Sequence, residues 1–261
     1  MDNLGVLLAL TLAVAAFALV AWFLRYRLRL SGVTEALIDA EDALDRGEVE
    51  HARELVAPIL ARYSQLAIVQ DVAADVLYAN GDPLSAASLY ERAMKKLGGP
   101  RVAPKLVAAY AALNRAGDAR RVAGLAPDDP MTRLALAWSE LAAVGGDRDK
   151  GRALADELAR DTELRSTAAG DAMANVLEAI AAARSGDTAR ARAALDRASA
   201  RRADLAAHDR AFIGYLGGIA LLEMGAIADA RETWTMAVDA APETIGSALA
   251  RRERSHLPAE S

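Results

Sequence analysis

Apolar residues recur with a helical period along most of the chain, and turn residues interrupt them at regular intervals. Near residue 81 one helical pattern ends at a Gly-Asp pair, and the next one places Ala86, Tyr90 and Ala93 on a single face. Glycine ends helices readily, and Asp is a favourable N-cap residue. The same arrangement recurs at Gly47, Gly81, Gly117, Gly146, Gly186 and Gly225. Repeated helix–turn–helix units predict an all-α solenoid of about six helix pairs.

The spacing of these turns predicts where the solenoid bends. The turn glycines lie 34 to 36 residues apart in the first three repeats, but 40 apart between Gly146 and Gly186. Residues 126–130 include two prolines, which end the second helix of the third repeat early. We therefore expect two groups of repeats joined by a bend. The predicted divisions are residues 31–126 for repeats 1–3, 127–254 for repeats 4–6 with a C-terminal capping helix, and 255–261 for a polar tail.

An uncharged apolar segment precedes the repeats. From Leu4 to Leu24 no charged residue occurs, and about 20 such residues in a helix span the ~30 Å hydrocarbon core of a bilayer. A cleaved signal peptide would need a basic segment before a shorter apolar run, and a buried core helix would also be shorter. Residues 1–30 are therefore predicted to form a transmembrane anchor with a basic flank.

The charges beside this segment predict its orientation. Arg25, Arg27 and Arg29 follow it directly, whereas the N-terminal side has Asp2 and no Lys or Arg. Basic flanking residues favour the cytoplasmic side of a membrane. We therefore expect a single-pass protein of a bacterial inner (cytoplasmic) membrane, with its N-terminus outside and its repeats in the cytoplasm.

Composition narrows the function classes. Of the 261 residues, 53% are hydrophobic but only 5% are aromatic, and small side chains of high helix propensity suit closely stacked helices. The net charge of −5 gives no basic footprint for nucleic acid. The chain has no cysteine, which excludes disulfides, thiolate catalysis and cysteine-ligated zinc.

The order of small and large residues within each unit resembles the tetratricopeptide repeat, a helix–turn–helix family with a 34-residue period. The last repeat matches best, at Gly218, Leu221, Gly225, Ala230, Trp234, Ala237 and Pro242. The third repeat departs from the pattern, because Val122 stands where the family has Ala. The resemblance covers roughly Thr34 to Ala241. It implies a binding scaffold, although its motif residues are packing residues that do not specify a ligand.

The plan of one N-terminal transmembrane helix followed by cytoplasmic repeats is similar to that of bacterial assembly factors such as lipopolysaccharide assembly protein B. That family ends in a cysteine-based metal-binding module. Because this chain has no cysteine, only the architecture is implied.

No constellation of residues in the sequence favours an enzyme. Glu48-x-x-His51 and Glu253-x-x-His256 have the spacing of di-iron bundle ligands, but the first follows a turn and the second lies near the predicted tail. Solvated charged faces are the better interpretation. The sequence contains no phosphate-binding loop and no nucleophile elbow. We expect no enzymatic activity, no cofactor and no metal.

In tetratricopeptide proteins the first helix of each pair lines a concave groove, which the resemblance makes the candidate partner site. Aligning the turns places these residues on that face: Asp71, Asp75, Tyr78, Asn114, Arg115, Arg133, Glu140, Phe212 and Tyr215. The acidic first part and aromatic last part predict a peptide ligand with an apolar anchor and basic residues. Two alternatives stay open: the charges are ordinary solvated residues, or both rings pack into a neighbouring helix pair.

These features together predict a membrane-anchored scaffold or adaptor that binds protein partners. The alternative function is a structural or assembly subunit of a larger membrane protein complex. Self-association into a homo-oligomer is compatible with either function.

Overall fold

The computed structural model describes residues 32–143 and 145–258, which form helices and no β-strand. Helix α1 includes residues 32–45. The other helices are α2 (Val49–Tyr63), α3 (Ala67–Ala79), α4 (Pro83–Leu97), α5 (Gly99–Ala112), α6 (Ala116–Ala123), α7 (Pro130–Ala142), α8 (Arg148–Leu158), α9 (Ala168–Arg184), α10 (Thr188–Ala200), α11 (Ala207–Glu223), α12 (Ile227–Ala240) and α13 (Ile245–His256). The all-α prediction is thus confirmed for the residues that the structure describes.

The predicted transmembrane segment and its flanking arginines lie outside the described residues. Across 32–143 and 145–258, no helix has both the length and the apolar character needed to cross a bilayer. The anchor and its orientation therefore stay predictions. Of the predicted polar tail, residues 255 and 256 belong to α13.

The turn inside each helix pair contains a residue with positive φ. These residues are Gly47, Gly81, Asn114, Gly145, Gly186 and Gly225. The third turn differs from the prediction, because Asn114 has a φ of 58° and Gly117 lies inside α6. Asparagine enters the left-handed region more readily than most other residues. The register of the third repeat therefore shifts by three residues, and the fully buried Ala119 takes the small-residue position that we had assigned to Val122.

Aspartates follow three of these turns and begin the next helix. The carboxylates of Asp82, Asp147 and Asp187 accept hydrogen bonds of 2.9–3.1 Å from the backbone N–H three residues ahead. Such caps satisfy donors that the first helical turn leaves free. The fourth turn is one residue from its predicted place, since Gly145 rather than Gly146 has positive φ.

The helices form two layers, as in an α-solenoid. From α3 to α13, each odd-numbered helix contacts the next odd-numbered one, and the even-numbered helices cover this inner layer. The burial pattern follows from these positions. Helix α9 of the inner layer buries 12 of its 17 residues, whereas α10 of the outer layer buries one stripe of alanines, Ala191, Ala194 and Ala198.

The buried apolar residues form two large clusters. One contains residues of α1 to α7, and the other contains residues of α5 to α13. Tyr78, Ala108 and Leu154 pack against both. The clusters adjoin at α5 and α7, close to the bend expected near residue 126, although the domain boundaries themselves stay predictions.

The inner layer curves so strongly that its C-terminal helix reaches the first half of the chain. Helix α13 packs on α11 and α12, and Nη1 of Arg252 donates a hydrogen bond of 3.0 Å to the carbonyl oxygen of Ala112. Gly81 faces the same helix, because a Cβ placed on it would lie 2.9 Å from Cβ of Ala248. The last helix thus caps the solenoid and also contacts the turns of the second and third repeats.

Candidate functional site

The acidic residues predicted for the groove in the second repeat are engaged inside the fold. Asp71 is only 1% exposed, and its carboxylate lies 3.2 Å from Nζ of Lys105 and 3.7 Å from Nε of Arg101. Asp75 accepts hydrogen bonds of 2.6 Å from Lys105 and from the Tyr90 hydroxyl. Burial raises the pKa of Asp75, although Lys105 and Tyr90 oppose that shift. These two acids connect α3 to α4 and α5.

Glu140 has the same kind of role in the fourth repeat. Its side chain is fully buried, and its two carboxylate oxygens accept hydrogen bonds of 2.6 and 2.9 Å from Arg120. The backbone N–H of Asp147 donates a third, of 2.7 Å. A buried carboxylate is stable only when it is paired and hydrogen-bonded in this way. The expectation that Glu140 faces an open groove is therefore wrong.

A buried acid in the fifth repeat was absent from our sequence predictions. Asp171 accepts hydrogen bonds from Arg165 at 2.9 Å and Arg201 at 2.8 Å. Burial by itself would raise the pKa of Asp171, but the hydrogen bonds and charges of the two arginines lower it. The sequence does contain one indication of this pairing, because Asp171 is a charged residue within an apolar helix and a buried charge needs a partner. An acid of the inner helix paired with a cation from a neighbouring segment is thus a recurring device of this fold.

Two aromatic residues predicted for the groove, Phe212 and Tyr215, pack against each other and against Trp138. The Trp138 ring lies edge-on to Phe212, with centroids 5.0 Å apart, and to Tyr215 at 6.3 Å. Tyr215 is 3% exposed and Phe212 is half-buried. Burial also raises the pKa of the Tyr78 and Tyr215 hydroxyls. Both rings thus pack inside the fold, but against Trp138 of the fourth repeat and not only against the neighbouring helix pair that the alternative named.

The remaining predicted groove residues do not form a common surface with these. Asn114 and Arg115 are exposed at a turn, where Arg115 pairs with Asp118 at 2.7 Å. Arg133 is half-buried and pairs with Asp161 at 3.0 Å. The structure therefore does not bring the nine predicted residues onto one open face.

A different acidic surface is exposed on the first repeat. Residues 32–62 contain eight carboxylates and three arginines, and all eight carboxylate side chains are exposed. On α1, Glu35, Ile38, Asp39 and Asp42 follow one another at helical spacing and form a single stripe. Ile38 is 51% exposed at its centre. We call these four residues the α1 stripe.

The acids of the α1 stripe differ from those of the inner layer in their ion pairing. Among the described residues, no ion pair joins Glu35, Asp39 or Asp42 to a cation. The sequence pattern does not predict this difference, because Asp71 and Glu140 also lie on the first helices of their repeats. Exposed charge around an exposed apolar side chain is suited to a partner with the opposite charge.

The histidines do not form a site. His51 lies on the exposed side of α2, 3.9 Å from Glu54, and His208 lies 3.4 Å from Asp209. In the described part of the chain, no group of three or more acidic or histidine side chains is arranged to hold a metal ion. The motif containing His256 ends α13, far along the chain from the other one.

Sequence comparison adds no family to this description. No protein-family model matches the chain, and a search of curated proteins finds no match. The likeness to tetratricopeptide repeats is therefore a resemblance in the positions of packing residues and in the pairing of helices.

Proposed function

We propose that this protein is a membrane-anchored, non-enzymatic scaffold with tetratricopeptide-like repeats, which binds a protein partner at the cytoplasmic face of a bacterial inner membrane. The uncharged segment from Leu4 to Leu24 and the arginines after it support the anchor and the orientation. Six successive helix pairs support the scaffold, because stacked pairs present long exposed surfaces at fixed positions.

The observation that carries the proposal is the α1 stripe. The buried acids described above are paired within the fold, whereas the carboxylates around the exposed Ile38 form no ion pair with another described residue. A partner with basic residues would be steered to this surface by its charge, and an apolar side chain docked on Ile38 would supply affinity. The expected partner chemistry, an apolar anchor flanked by basic residues, is the one predicted from the sequence. The proposed binding surface, however, is the first repeat and not the groove.

Crosslinking in cells followed by pull-down and quantitative mass spectrometry tests this proposal. Asp39→Lys with Asp42→Lys should deplete the captured partner, and Ile38→Ala should weaken its affinity by roughly tenfold, as expected for a central apolar contact. Two matched controls exist. Asp149→Lys with Glu157→Lys makes the same charge change on α8, and Leu84→Ala truncates a side chain that is 66% exposed on α4.

Capture that survives the α1 variants, or that falls equally in the controls, would contradict this binding surface. A partner recovered in fixed stoichiometry from detergent would instead favour the alternative, a structural or assembly subunit. Salt adds a further test, since charge steering predicts that the lysine variants slow association more at low ionic strength.

The orientation can be tested separately. A C-terminal reporter that is active only in the cytoplasm should give a signal, and one that is active only in the periplasm should not. Neutral replacements of Arg25, Arg27 and Arg29, combined with a lysine next to Asp2, should invert part of the population. Periplasmic activity of the unmodified fusion would overturn the cytoplasmic assignment.

A further inference from the structure

A cavity of about 230 Å³ lies between α10, α11 and α12, and its lining includes no residue of the α1 stripe. Its floor is mostly apolar and includes Val176, Leu195, Leu205, Ile213 and Leu221. Three arginines and one acid also line it: Arg192, Arg202, Arg210 and Asp196. Small-molecule sites commonly combine an apolar floor with a few polar groups in this way.

The absence of a side chain at Gly217 on α11 leaves part of this space open. Gly214 and Gly217 both line the cavity. The space beside Gly214 is already occupied by Ala237, because an added Cβ would lie 3.0 Å from Cβ of that residue. Gly217 has room: an added Cβ would meet Leu195 at 3.7 Å, and Thr233 and Val176 at 3.9 Å. Atoms of α9, α10 and α12 thus surround the place where a side chain at residue 217 would project.

The charges of the lining distinguish this cavity from a simple packing gap. Arg202 and Arg210 have no carboxylate within ion-pair distance among the described residues, whereas Arg192 lies 3.6 Å from Asp229. The two unpaired guanidinium groups are nevertheless positioned. Nη1 of Arg210 donates a hydrogen bond of 2.7 Å to the carbonyl oxygen of Leu205, and Nη1 of Arg202 lies 3.8 Å from the sulfur of Met236.

This arrangement differs from that of the arginines that contact the inner layer. At the inner layer, Arg120, Arg133, Arg165 and Arg201 each pair with a buried or half-buried carboxylate. Beside the cavity, by contrast, Arg202 and Arg210 form no ion pair with another described residue, although Asp196 also lines the space. A bound anion would complete the same pairing that other arginines of this chain make internally.

We propose that the cavity binds a small amphiphilic carboxylate, with its apolar body on the floor beside Gly217 and its carboxylate toward Arg202 and Arg210. Guanidinium groups bind carboxylates by charge-assisted, often bidentate hydrogen bonds. The volume admits a ligand of about the size of an aromatic amino acid side chain with a short acid tail. The site is independent of the scaffold function, since it involves neither the α1 stripe nor the membrane segment.

The experiment uses two water-soluble probes of nearly equal shape, 3-phenylpropanoate and its neutral amide. The full-length protein, held in lipid nanodiscs and carrying ¹³C-methyl methionine, is titrated with each probe. Met236 lines the cavity and reports binding, whereas Met94 on α4 serves as an internal control. The carboxylate should shift the Met236 methyl resonance with a Kd on the order of 0.1–1 mM, without shifting Met94. The amide should bind roughly tenfold more weakly.

Two variants locate the probe. Gly217→Leu places a side chain in the cavity and should abolish the Met236 shift. Arg202→Gln with Arg210→Gln should weaken carboxylate binding by roughly tenfold and leave amide binding unchanged. Arg53→Gln with Arg62→Gln makes the same charge change on α2 and should have no effect. Because Arg202 is exposed and Arg210 is only half-buried, their variant gives an answer even where Gly217→Leu fails to fold.

Three results would overturn the proposal: equal affinity for acid and amide, a Met236 shift that persists in folded Gly217→Leu, or no shift with either probe up to about 10 mM. Loss of binding in the Arg53 and Arg62 control would also count against it, since that result indicates a general charge effect. Partner capture through the α1 stripe is measured separately, so failure of one proposal is distinguishable from failure of the other.

Discussion

Gly217 and Gly218, neighbours on α11, offer a matched pair of substitutions that tests the packing of the last repeat. A Cβ on Gly218 would overlap Nε1 of Trp234 and lie 2.5 Å from two other atoms of that ring. A Cβ on Gly217 would have its nearest neighbour at 3.7 Å, an ordinary van der Waals distance. We therefore expect Gly218→Ala to destabilise the protein and Gly217→Ala to be tolerated.

The expected difference in the free energy of unfolding follows from the effects that the two variants share and those that only Gly218→Ala has. Both gain about 1 kcal/mol from replacing glycine inside a helix, and this gain cancels in the comparison. Gly218→Ala also pays an overpacking cost of about 1–3 kcal/mol. Trp234 is fully buried, and its Nε1 donates a hydrogen bond of 2.9 Å to the carbonyl oxygen of Tyr215. Displacing the ring breaks that bond at a further cost of about 1 kcal/mol. The free energies of unfolding should differ by about 2–4 kcal/mol.

Urea unfolding and thermal melting of the two full-length variants, followed by circular dichroism and tryptophan fluorescence, measure this difference. For a chain of this size it corresponds to a melting temperature roughly 5–15 °C lower for Gly218→Ala than for Gly217→Ala. Hydrogen exchange should place the lost protection in α11 to α13, because repeats unfold locally. Equal stabilities of the two variants would refute the contact between Gly218 and Trp234, and with it the packing described for this repeat.

Three further predictions concern other contacts of the fold. Trp234→Ala should cost about 3–5 kcal/mol as a core truncation and loosen the C-terminal end first in hydrogen exchange; an unchanged melting curve would contradict the assigned register. Burial and the hydrogen bond to Glu91 raise the pKa of Tyr110 to about 12. Its contribution to stability is therefore complete below pH ~10 and is lost as the pH rises toward 12, and urea titrations across this range should be flatter for Tyr110→Phe. Phe212→Ala with Tyr215→Ala should lower thermal stability while the folded fraction still captures its partner; lost capture with unchanged melting would restore the groove as the binding surface.

Much of the helical architecture could be predicted from the sequence, because it depends on short-range effects. Apolar residues at helical spacing define each buried stripe, and the Gly-Asp pairs define the turn and the cap that follows. The packing role of Trp234, Ala230 and Ala237 was predicted in this way, and the burial of all three side chains confirms it. The third turn was misplaced because Asn114 and Gly117 both carry a local turn signal. The local sequence does not decide between these two turn positions. Tertiary packing decides, because a turn at Asn114 places Ala119 in the core.

The tertiary structure determined which charged and aromatic side chains are buried and which residues they contact. Asp71 and Asp39 both occur on the first helix of a repeat, yet Asp71 is buried against Lys105, a residue 34 positions later. Whether a cation of the next repeat lies close enough to pair with such an acid depends on how consecutive repeats stack. The curvature of the inner layer likewise decides that Trp138 meets Phe212, since these rings belong to repeats that are not adjacent in the chain. Local sequence patterns record which face of a helix is apolar, but the distance between two faces is set by the summed rotations of all the repeats between them.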